Sequence, residues 1–244
     1  MSRILAKSTL TVSLVALLVL ALALPAEAGS INKSVSIDAG ATSNGASSVN
    51  GSIAVGAGAL VSGDLDTVNG RIRVGADAKV EDVSTVNGSL RIESGASTES
   101  LSTVNGGIDI DANVTVKGEV EAVNGEIDID EGSTVSRDVS NVNGAIELHA
   151  CMVDGDVSTV SGDIELSGAA EVKGNIIVEK PNSWGWSEKK SRVPEIVIGP
   201  GSKVRGEIRV ERIVKLYISE TAEVGGVTGA MSLDDAIRFS GTRP

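Results

Sequence analysis

Aromatic residues make up only 2% of the sequence, as two Trp, one Tyr and one Phe among 244 residues. A compact globular core usually relies on rings, because each ring buries a large apolar area. Hydrophobic residues nevertheless reach 41%, so Val, Ile, Leu and Ala are available to fill a core. A scarcity of rings together with many small aliphatic side chains favours a narrow, elongated core.

Cysteine and histidine occur once each, as Cys151 and His149. A single cysteine excludes an internal disulfide, and the pair alone cannot supply a zinc-binding set or a Cys–His catalytic arrangement with a further partner. The surrounding pattern places Cys151 inward, as a small packing thiol. The sequence contains no glycine-rich phosphate loop, nucleophile elbow or paired acid motif. We therefore predict no catalytic residues, no bound metal and no cofactor.

Basic residues are outnumbered by acidic ones, 21 to 33, which gives a formal net charge of −12. A chain with this charge repels the phosphates of DNA and RNA. Nucleic acid is therefore not an expected partner.

Long apolar runs are also absent, apart from residues 10–24 near the start of the chain. This run follows Arg3 and Lys7 and precedes the small-x-small sequence Ala26-Glu27-Ala28. It is shorter than the ~20 residues of a membrane span, so residues 1–28 are predicted to be a secretory signal peptide. The alternative is an uncleaved anchor. The mature chain is expected to be extracytoplasmic, in the periplasm or secreted, without a transmembrane span.

The most regular feature is a Val-Asn-Gly tripeptide whose copies follow one another at intervals of 18 or 19 residues. Its asparagines are Asn50, Asn69, Asn87, Asn105, Asn124 and Asn143. A seventh copy reads Val160-Ser161-Gly162. A fixed period of this length indicates stacked structural units. We interpret the valine as a core residue, the asparagine as part of a stacked ladder and the glycine as a left-handed corner residue.

Each unit contains three short apolar segments. After the glycine, apolar and polar residues alternate, as in Ile108-Asp109-Ile110, which is typical of a half-buried strand. A second strand is marked by a valine such as Val116, and a third begins at a residue such as Val120. Three strands in 18 or 19 residues predict an all-β, single-stranded parallel β-helix over residues 29–230.

Four acids occupy the same outward position in successive units. They are Asp109, Asp128, Glu147 and Glu165. Strands of adjacent coils are ~4.8 Å apart, so these carboxylates would form a column that shares Ca²⁺ or simply makes a solvated face.

Residues 181–194, bounded by two prolines, interrupt the period and are predicted to form a loop extruded from the coil. The loop concentrates our predicted partner-binding residues, Trp184, Trp186, Lys189, Lys190 and Arg192. Tryptophan beside cations suits a sugar ring, a membrane interface or an acidic partner. The alternative is that the tryptophans fold back and seal a coil face.

Residues 231–244 leave the repeat and are predicted to be a C-terminal cap or tail, with a short helix that starts near Ser232. An open coil exposes a row of unpaired strand groups, so the end of a solenoid is expected to be covered.

Motifs such as Val116-Lys117-Gly118-Glu119-Val120 and Val153-Asp154-Gly155-Asp156-Val157 resemble the repeats of bactofilins. Bactofilins are polymer-forming bacterial β-helix proteins, and the resemblance implies a right-handed coil. The Thr-Val-Asn-Gly-x-Ile-x-Ile units also resemble the β-strand repeats of bacterial adhesins. The likeness covers roughly residues 45–228, whereas the signal peptide departs from the cytoplasmic bactofilins.

Together these features predict an exported, non-enzymatic, structural or adhesin-like protein of the bacterial cell envelope that presents a rigid repeat surface. Its expected partners are an envelope polysaccharide or protein, or further copies of itself. The alternatives are an extracytoplasmic bactofilin-like scaffold that polymerises end to end, and a polysaccharide-active enzyme that uses the acidic column.

Overall fold

The computed structural model describes residues 29–181 and 192–244. They form an all-β parallel solenoid of about 10 turns, with stacked coils about 19 residues apart. A typical coil contributes one strand to each of three faces, which we call A, B and C in the order of the chain. The predicted fold, a parallel β-helix with three short strands per coil, is confirmed. The predicted signal peptide lies outside the described residues.

Face A is an 11-stranded sheet. Its strands are Gly29–Ser30, Ala46–Ser48, Leu65–Thr67, Val83–Asn87, Leu101–Asn105, Val120–Asn124, Val139–Asn143, Val157–Thr159, Ile176–Val178, Ile208–Val210 and Val227–Gly229. Face B is also 11-stranded. Its strands are Val35–Ile37, Ile53–Val55, Ile72–Val74, Leu90–Ile92, Ile108–Ile110, Ile127–Ile129, Ile146–His149, Ile164–Ser167, Glu195–Ile198, Lys215–Ser219 and Ile237–Phe239.

Face C consists of a 7-stranded sheet and a separate 2-stranded sheet. The longer sheet contains Ser97–Thr98, Thr115–Val116, Thr134–Val135, Met152–Val153, Glu171–Val172, Lys203–Val204 and Glu223–Val224. The shorter one contains Thr42–Ser43 and Leu60–Val61. Single β-bridges from Lys79 to Leu60 and to Ser97 connect the two, so the second strand of that coil is reduced to one residue.

Equivalent strands pair in parallel register, which lines up equal positions in columns along the rod. On face B, Leu90 lies opposite Ile108 and Ile108 lies opposite Ile127. The 181–194 insertion does not disturb this register, because Ile164 pairs directly with Ile196.

The inward side chains form one continuous apolar core along the axis of the solenoid. Leu90, Ile108, Ile127 and Ile146 are each 0% exposed. Burying such a side chain fully stabilises the fold by roughly 1.5–3 kcal/mol relative to leaving it exposed. A single coil cannot cover these side chains, so stability depends on neighbouring coils.

The valines of the repeated tripeptide do not face this core, and our interpretation of them as core residues is wrong. In the strand Val83–Asn87, Val83 and Thr85 are buried, whereas Ser84 and Val86 are half-buried. The residue before each valine already occupies the inward position, so strand alternation directs the valine outward. The inward column beside the tripeptide contains Ser48, Thr67, Thr85, Thr103, Ala122, Asn141 and Thr159.

The tripeptide glycines do not serve the left-handed turn that we predicted. All of them lie in the described residues, and Gly144 alone has a positive φ, +133°. At Gly88, Gly106 and Gly125, an added Cβ would lie 1.8–1.9 Å from a glycine carbonyl oxygen of the preceding coil. Glycine is required at this corner because the coils approach too closely for a side chain.

Left-handed residues instead mark the corner between faces B and C. They are Gly40, Gly58, Asp77, Gly95, Asn113, Gly132, Ala150, Gly168, Ala169 and Gly201. Glycine adopts this conformation freely and Asn or Asp tolerates it, whereas an alanine there costs roughly 1–2 kcal/mol.

The C-terminal segment rejoins the solenoid beyond residue 230, where we expected the repeat to end. Leu233–Asp235 forms one 3₁₀ turn, in which the Asp235 carboxylate accepts hydrogen bonds from Ser232 N and Oγ at 2.8 and 2.9 Å. Ile237–Phe239 then pairs with Lys215–Ser219 on face B. The open edge of face B explains this outcome, because an added strand satisfies its backbone groups.

Candidate functional site

The corner between faces A and B carries a ladder of side-chain amides. In each step, Nδ2 of one asparagine donates to Oδ1 of the asparagine in the preceding coil, over distances of 2.8–3.0 Å. The ladder contains Asn32, Asn50, Asn69, Asn87, Asn105, Asn124 and Asn143. Each Nδ2 has a second hydrogen that this chain of bonds does not use, so the exposed corner presents a regular row of amides.

Asn32 is a member of the ladder that the sequence reasoning missed. It follows Ile31 and precedes Lys33, so the tripeptide gives no sign of it. Its distance of 18 residues from Asn50 was the available signal. The ladder does not continue past Asn143, because the next copy of the tripeptide has Ser161.

A second, buried ladder lies behind the asparagines. Oγ1 of Thr67 donates to the carbonyl oxygen of Gly51 at 2.9 Å. Thr85 and Thr103 repeat this bond to the glycine of the coil before them, at 3.1 Å each. These bonds satisfy hydroxyl groups that would otherwise be costly to bury. The tripeptide corner is therefore tied to the preceding coil by an outer amide and an inner hydroxyl.

Asn141 occupies the same inward column and is 3% exposed. Its Nδ2 donates to the carbonyl oxygen of Gly144 at 2.8 Å, and its Oδ1 accepts from Thr159 Oγ1 at 2.6 Å. The sequence reasoning passed over this residue because it belongs to no Val-Asn-Gly copy.

The four predicted acids do form one column on the outside of face B. Asp109 lies opposite Asp128, Asp128 opposite Glu147, and Glu147 opposite Glu165. Burial raises the pKa of Asp128, and the carboxylates of Asp130 and Glu147 raise it further. Burial likewise raises the pKa of Glu147. Closely spaced carboxylates repel one another, which favours protonation of some of them and attracts cations.

The column ends in a shallow depression of about 110 Å³, lined by residues that include Glu147, Glu165 and Glu195. Arg243 reaches this end and pairs with Glu165 at 3.2 Å. Within residues 29–181 and 192–244, no group of three or more His, Cys, Asp or Glu side chains is arranged to hold a metal ion.

His149 and Cys151 point to opposite sides of the coil wall. Nδ1 of the exposed His149 lies 3.0 Å from Ser167 Oγ, whereas Cys151 is only 5% exposed. Burial raises the pKa of the Cys151 thiol to about 12. The cysteine is therefore a protonated packing residue, as its inward position in the sequence pattern predicted.

The predicted partner-binding loop is described only at its margins. Trp184, Trp186, Lys189 and Lys190 lie outside the described residues, and Arg192 lies inside them. The Arg192 guanidinium pairs with the Asp163 carboxylate at 2.6 Å, although its side chain is 73% exposed.

Two residues that the sequence reasoning missed hold the C-terminal margin of this loop. Asp163 binds Arg192 and also accepts a hydrogen bond from Glu195 N at 2.8 Å. Arg212 Nη2 donates to the Arg192 carbonyl oxygen at 3.1 Å. Arg192 is thus an anchor of the loop margin as well as a member of its cationic group.

The corner between faces C and A carries a third ladder, made of acidic side chains. Asp156 N donates to Asp138 Oδ1 at 2.8 Å, and Asn175 N donates to Asp156 Oδ1 at 2.7 Å. Ser100 N donates to Asp82 Oδ1 in the same way, at 3.1 Å. A carboxylate of one coil therefore satisfies a backbone amide of the next. The sequence reasoning did not identify this corner as a ladder.

The outer surface of face A contains two carboxyl groups with raised pKa values. Burial raises the pKa of Glu121 to about 7, with smaller contributions from Glu119 and Asp138. Burial also raises the pKa of Asp66, which is partly offset by a hydrogen bond from Ser84 Oγ. Glu121 therefore changes charge near neutral pH.

Comparisons with protein-family models, with curated proteins and with solved structures find no match to this chain. In the described part of the chain, no helix has the length and apolarity needed to cross a bilayer.

Proposed function

We propose that the protein is an exported, non-enzymatic rod of the bacterial cell envelope, which acts as a structural or adhesin-like element by presenting a rigid repeat surface. The observation that carries the proposal is the unbroken register of faces A and B over 11 strands each. About 10 coils at ~4.8 Å per coil make a rod of roughly 50 Å. Backbone pairing binds each coil to the next, and three side-chain ladders reinforce it along part of the length, so the rod resists bending.

The regular surface supports a role in adhesion. Columns such as the asparagine ladder repeat one chemical group at successive coils, from Asn32 to Asn143. A partner with its own repeating structure, such as an envelope polysaccharide, can contact several equivalent groups at once. Many weak contacts held at fixed spacing increase the overall affinity without any single strong site.

The export part of the proposal is tested by expressing the full chain with a C-terminal tag and fractionating the cells. We expect a product outside the cytoplasm whose first residue is Gly29, because the predicted cleavage pattern ends at Ala28. An Arg3→Glu/Lys7→Glu variant should be retained in the cytoplasm. Uncut wild-type protein in the cytoplasm would contradict export.

The binding part is tested by pull-down from envelope fractions with the purified wild-type protein. A Trp184→Ala/Trp186→Ala variant should lose most of the captured material if the loop binds a partner. A matched control is Lys117→Ala/Lys173→Ala, which alters exposed cations on the rod whose side chains are 56% and 47% exposed. If all three proteins captured the same amount of material, the loop would have no role in binding.

A second candidate is an extracytoplasmic, bactofilin-like scaffold that assembles end to end. It is favoured by the terminal strands of face B, since Val35–Ile37 and Ile237–Phe239 each pair along only one edge among the described residues. Free strand edges are templates for pairing with another chain. Concentration-dependent filaments in electron micrographs would support this candidate, and a persistent monomer at high concentration would exclude it.

A further inference from the structure

An aliphatic column runs along the outside of face A. Its members are Ile31, Val49, Val68, Val86, Val104, Val123, Val142 and Val160. Backbone bonds place them in register, as in Asn69 N to Val49 O and Asn87 N to Val68 O. Ile31 is 70% exposed and Val49 is 38% exposed, the other six are half-buried, and none of the eight belongs to the buried core cluster. In the next coil Thr159 pairs with Val178, so the residue equivalent to Val160 is Glu179. The aliphatic column therefore ends at Val160.

The columns on both sides of these aliphatic residues are nearly free of charge. On one side is the asparagine ladder. On the other side is a column formed by Ser47, Asp66, Ser84, Ser102, Glu121, Ser140 and Ser158. We call the aliphatic column and its two neighbours the valine band. Its only ionisable groups are Asp66 and Glu121, and burial raises the pKa of each.

We propose that the valine band is a lateral interface through which two copies of this chain pair side by side. The spacing favours a second copy. The aliphatic residues of the column are ~4.8 Å apart, one per coil, and another parallel solenoid presents its side chains at the same spacing. The charge favours it as well. Two chains of net charge −12 repel each other, and contact through the valine band, which contains only two carboxyl groups, brings few like charges together.

The dimensions of the band set the strength of the pairing. Eight coils give a length of ~34 Å, and the three columns span ~10 Å across the strands. Two bands in contact therefore bury roughly 700 Å² in total, which is below the ~1,200 Å² of a stable interface. The pairing is weak and depends on concentration, and it suits an array of rods that are also held by other contacts.

Glu121 makes the pairing sensitive to pH. It lies inside the band, and the carboxylates of Glu119 and Asp138 at the adjacent corner act on it. When Glu121 is ionised, each copy brings a charge into the contact, and a paired state must desolvate both charges. Protonation removes this obstacle, so association is stronger at mildly acidic pH than at alkaline pH.

Sedimentation velocity of the purified protein over a concentration series tests the proposal. At pH 6, above the sequence pI of about 4.6, the expected result is a reversible shift from monomer to dimer. At pH 8 the dissociation constant should rise at least tenfold. A Val86→Glu/Val104→Glu variant should stay monomeric at pH 6, whereas Leu60→Glu, at a 49% exposed position on face C, should dimerise like the wild type.

Two further variants protect the test against a folding artefact. Ser158→Glu adds a charge in the same column between Ser140 and Ile177, away from Asp66 and Glu121, and it should also remain monomeric while keeping the thermal unfolding profile of the wild type. Glu121→Gln should dimerise at pH 8 as the wild type does at pH 6, unlike the control Glu131→Gln. A wild-type monomer at every concentration, or unchanged association in both charged variants, would overturn the proposal.

Discussion

The corner between faces A and B and the corner between faces B and C both contain many glycines, for different physical reasons. At the first corner the glycine backbone is crowded, and a Cβ on Gly106 would lie 1.9 Å from the Gly88 carbonyl oxygen. At the second corner no backbone is in the way: nothing lies within 4 Å of a Cβ on Gly58, and a Cβ on Gly95 or Gly132 would meet only the end of the Asp77 or Asn113 side chain, but the backbone is left-handed, with φ of +66° at Gly58. One corner excludes a side chain by contact and the other disfavours it by conformation.

This difference explains which substitutions each corner contains. The left-handed corner accepts Asp77, Asn113, Ala150 and Ala169 in place of glycine. The seven tripeptide copies keep glycine throughout, even where asparagine is replaced by Ser161. A conformational cost of roughly 1–2 kcal/mol can be offset elsewhere, whereas a backbone collision at every coil cannot.

The largest expected effect comes from adding one methyl group at the crowded corner. Gly106→Ala should destabilise the protein by about 4 kcal/mol or more, because neighbouring coils must separate to admit the Cβ. The matched change Gly58→Ala should cost only about 1 kcal/mol, from the left-handed backbone. Chemical denaturation of both variants measures the difference. Equal losses would show that the two corners are alike.

The amide ladder at the crowded corner is tested by Asn105→Ala. This change removes one hydrogen bond to Asn87 and one from Asn124, and we expect a loss of about 2 kcal/mol. Asn32→Ala, which removes a single terminal bond, should cost about half as much. If thermal unfolding gives the same midpoint for Asn105→Ala and the wild type, the ladder does not contribute to stability.

Glu121, on the outer surface of face A beside the acidic corner, adds a pH-dependent contrast to the neutral amide ladder. The pKa of Glu121 is raised to about 7 in the folded state, above the value of ~4.3 in an unfolded chain. Folding therefore favours the protonated form, and the stability linked to this group is present at pH 4 and is lost as the pH rises through 7.

Glu121→Gln should remove the loss of stability that ionisation of Glu121 causes above pH 7. We expect the free energy of unfolding to increase by about 1–2 kcal/mol at pH 8, after allowance for solvent screening. At pH 4 the variant and the wild type should have equal stability. Denaturation of both proteins at the two pH values provides the comparison, and Asn105→Ala serves as a control with a pH-independent effect. A gain of the same size at both pH values would exclude ionisation of Glu121 as its cause.

The smallest expected effect is a gain at the left-handed corner. Ala150 has φ of +47°, so Ala150→Gly relieves backbone strain while it increases the freedom of the unfolded chain. The net result should be a stabilisation of about 0.5–1 kcal/mol in denaturant titrations. Gly132→Ala at the same corner should produce the opposite change, and a loss of stability in Ala150→Gly would contradict this account.

Local alternation and spacing were sufficient to predict the three strands of a coil and the inward positions of residues such as Ile108 and Val116, because these patterns depend on neighbouring residues. The roles of valine and glycine in the tripeptide were predicted wrongly. Thr85 and Val86 have similar volumes and are adjacent, so the pattern alone does not say which one enters the core. The handedness that the bactofilin resemblance implies stays a prediction.

Some features of the candidate surfaces could likewise be predicted from the sequence, and others could not. The acid column on face B and the inward Cys151 were readable from alignment of the units, since each depends only on position within a coil. Asn32, Asp163 and the strand Ile237–Phe239 were missed, because their partners are fixed by contacts across coils that no tripeptide marks.

A regular period and strand alternation are properties of the chain, and they settle that this protein is a solenoid with an aliphatic core. The crowding at Gly106, the valine band on face A and the raised pKa of Glu121 arise only when coils are stacked. Each of them involves groups that lie close in space across coils rather than along the chain, such as Gly106 and Gly88. Proximity across coils is set by strand register and corner length, so it becomes visible only in the folded rod.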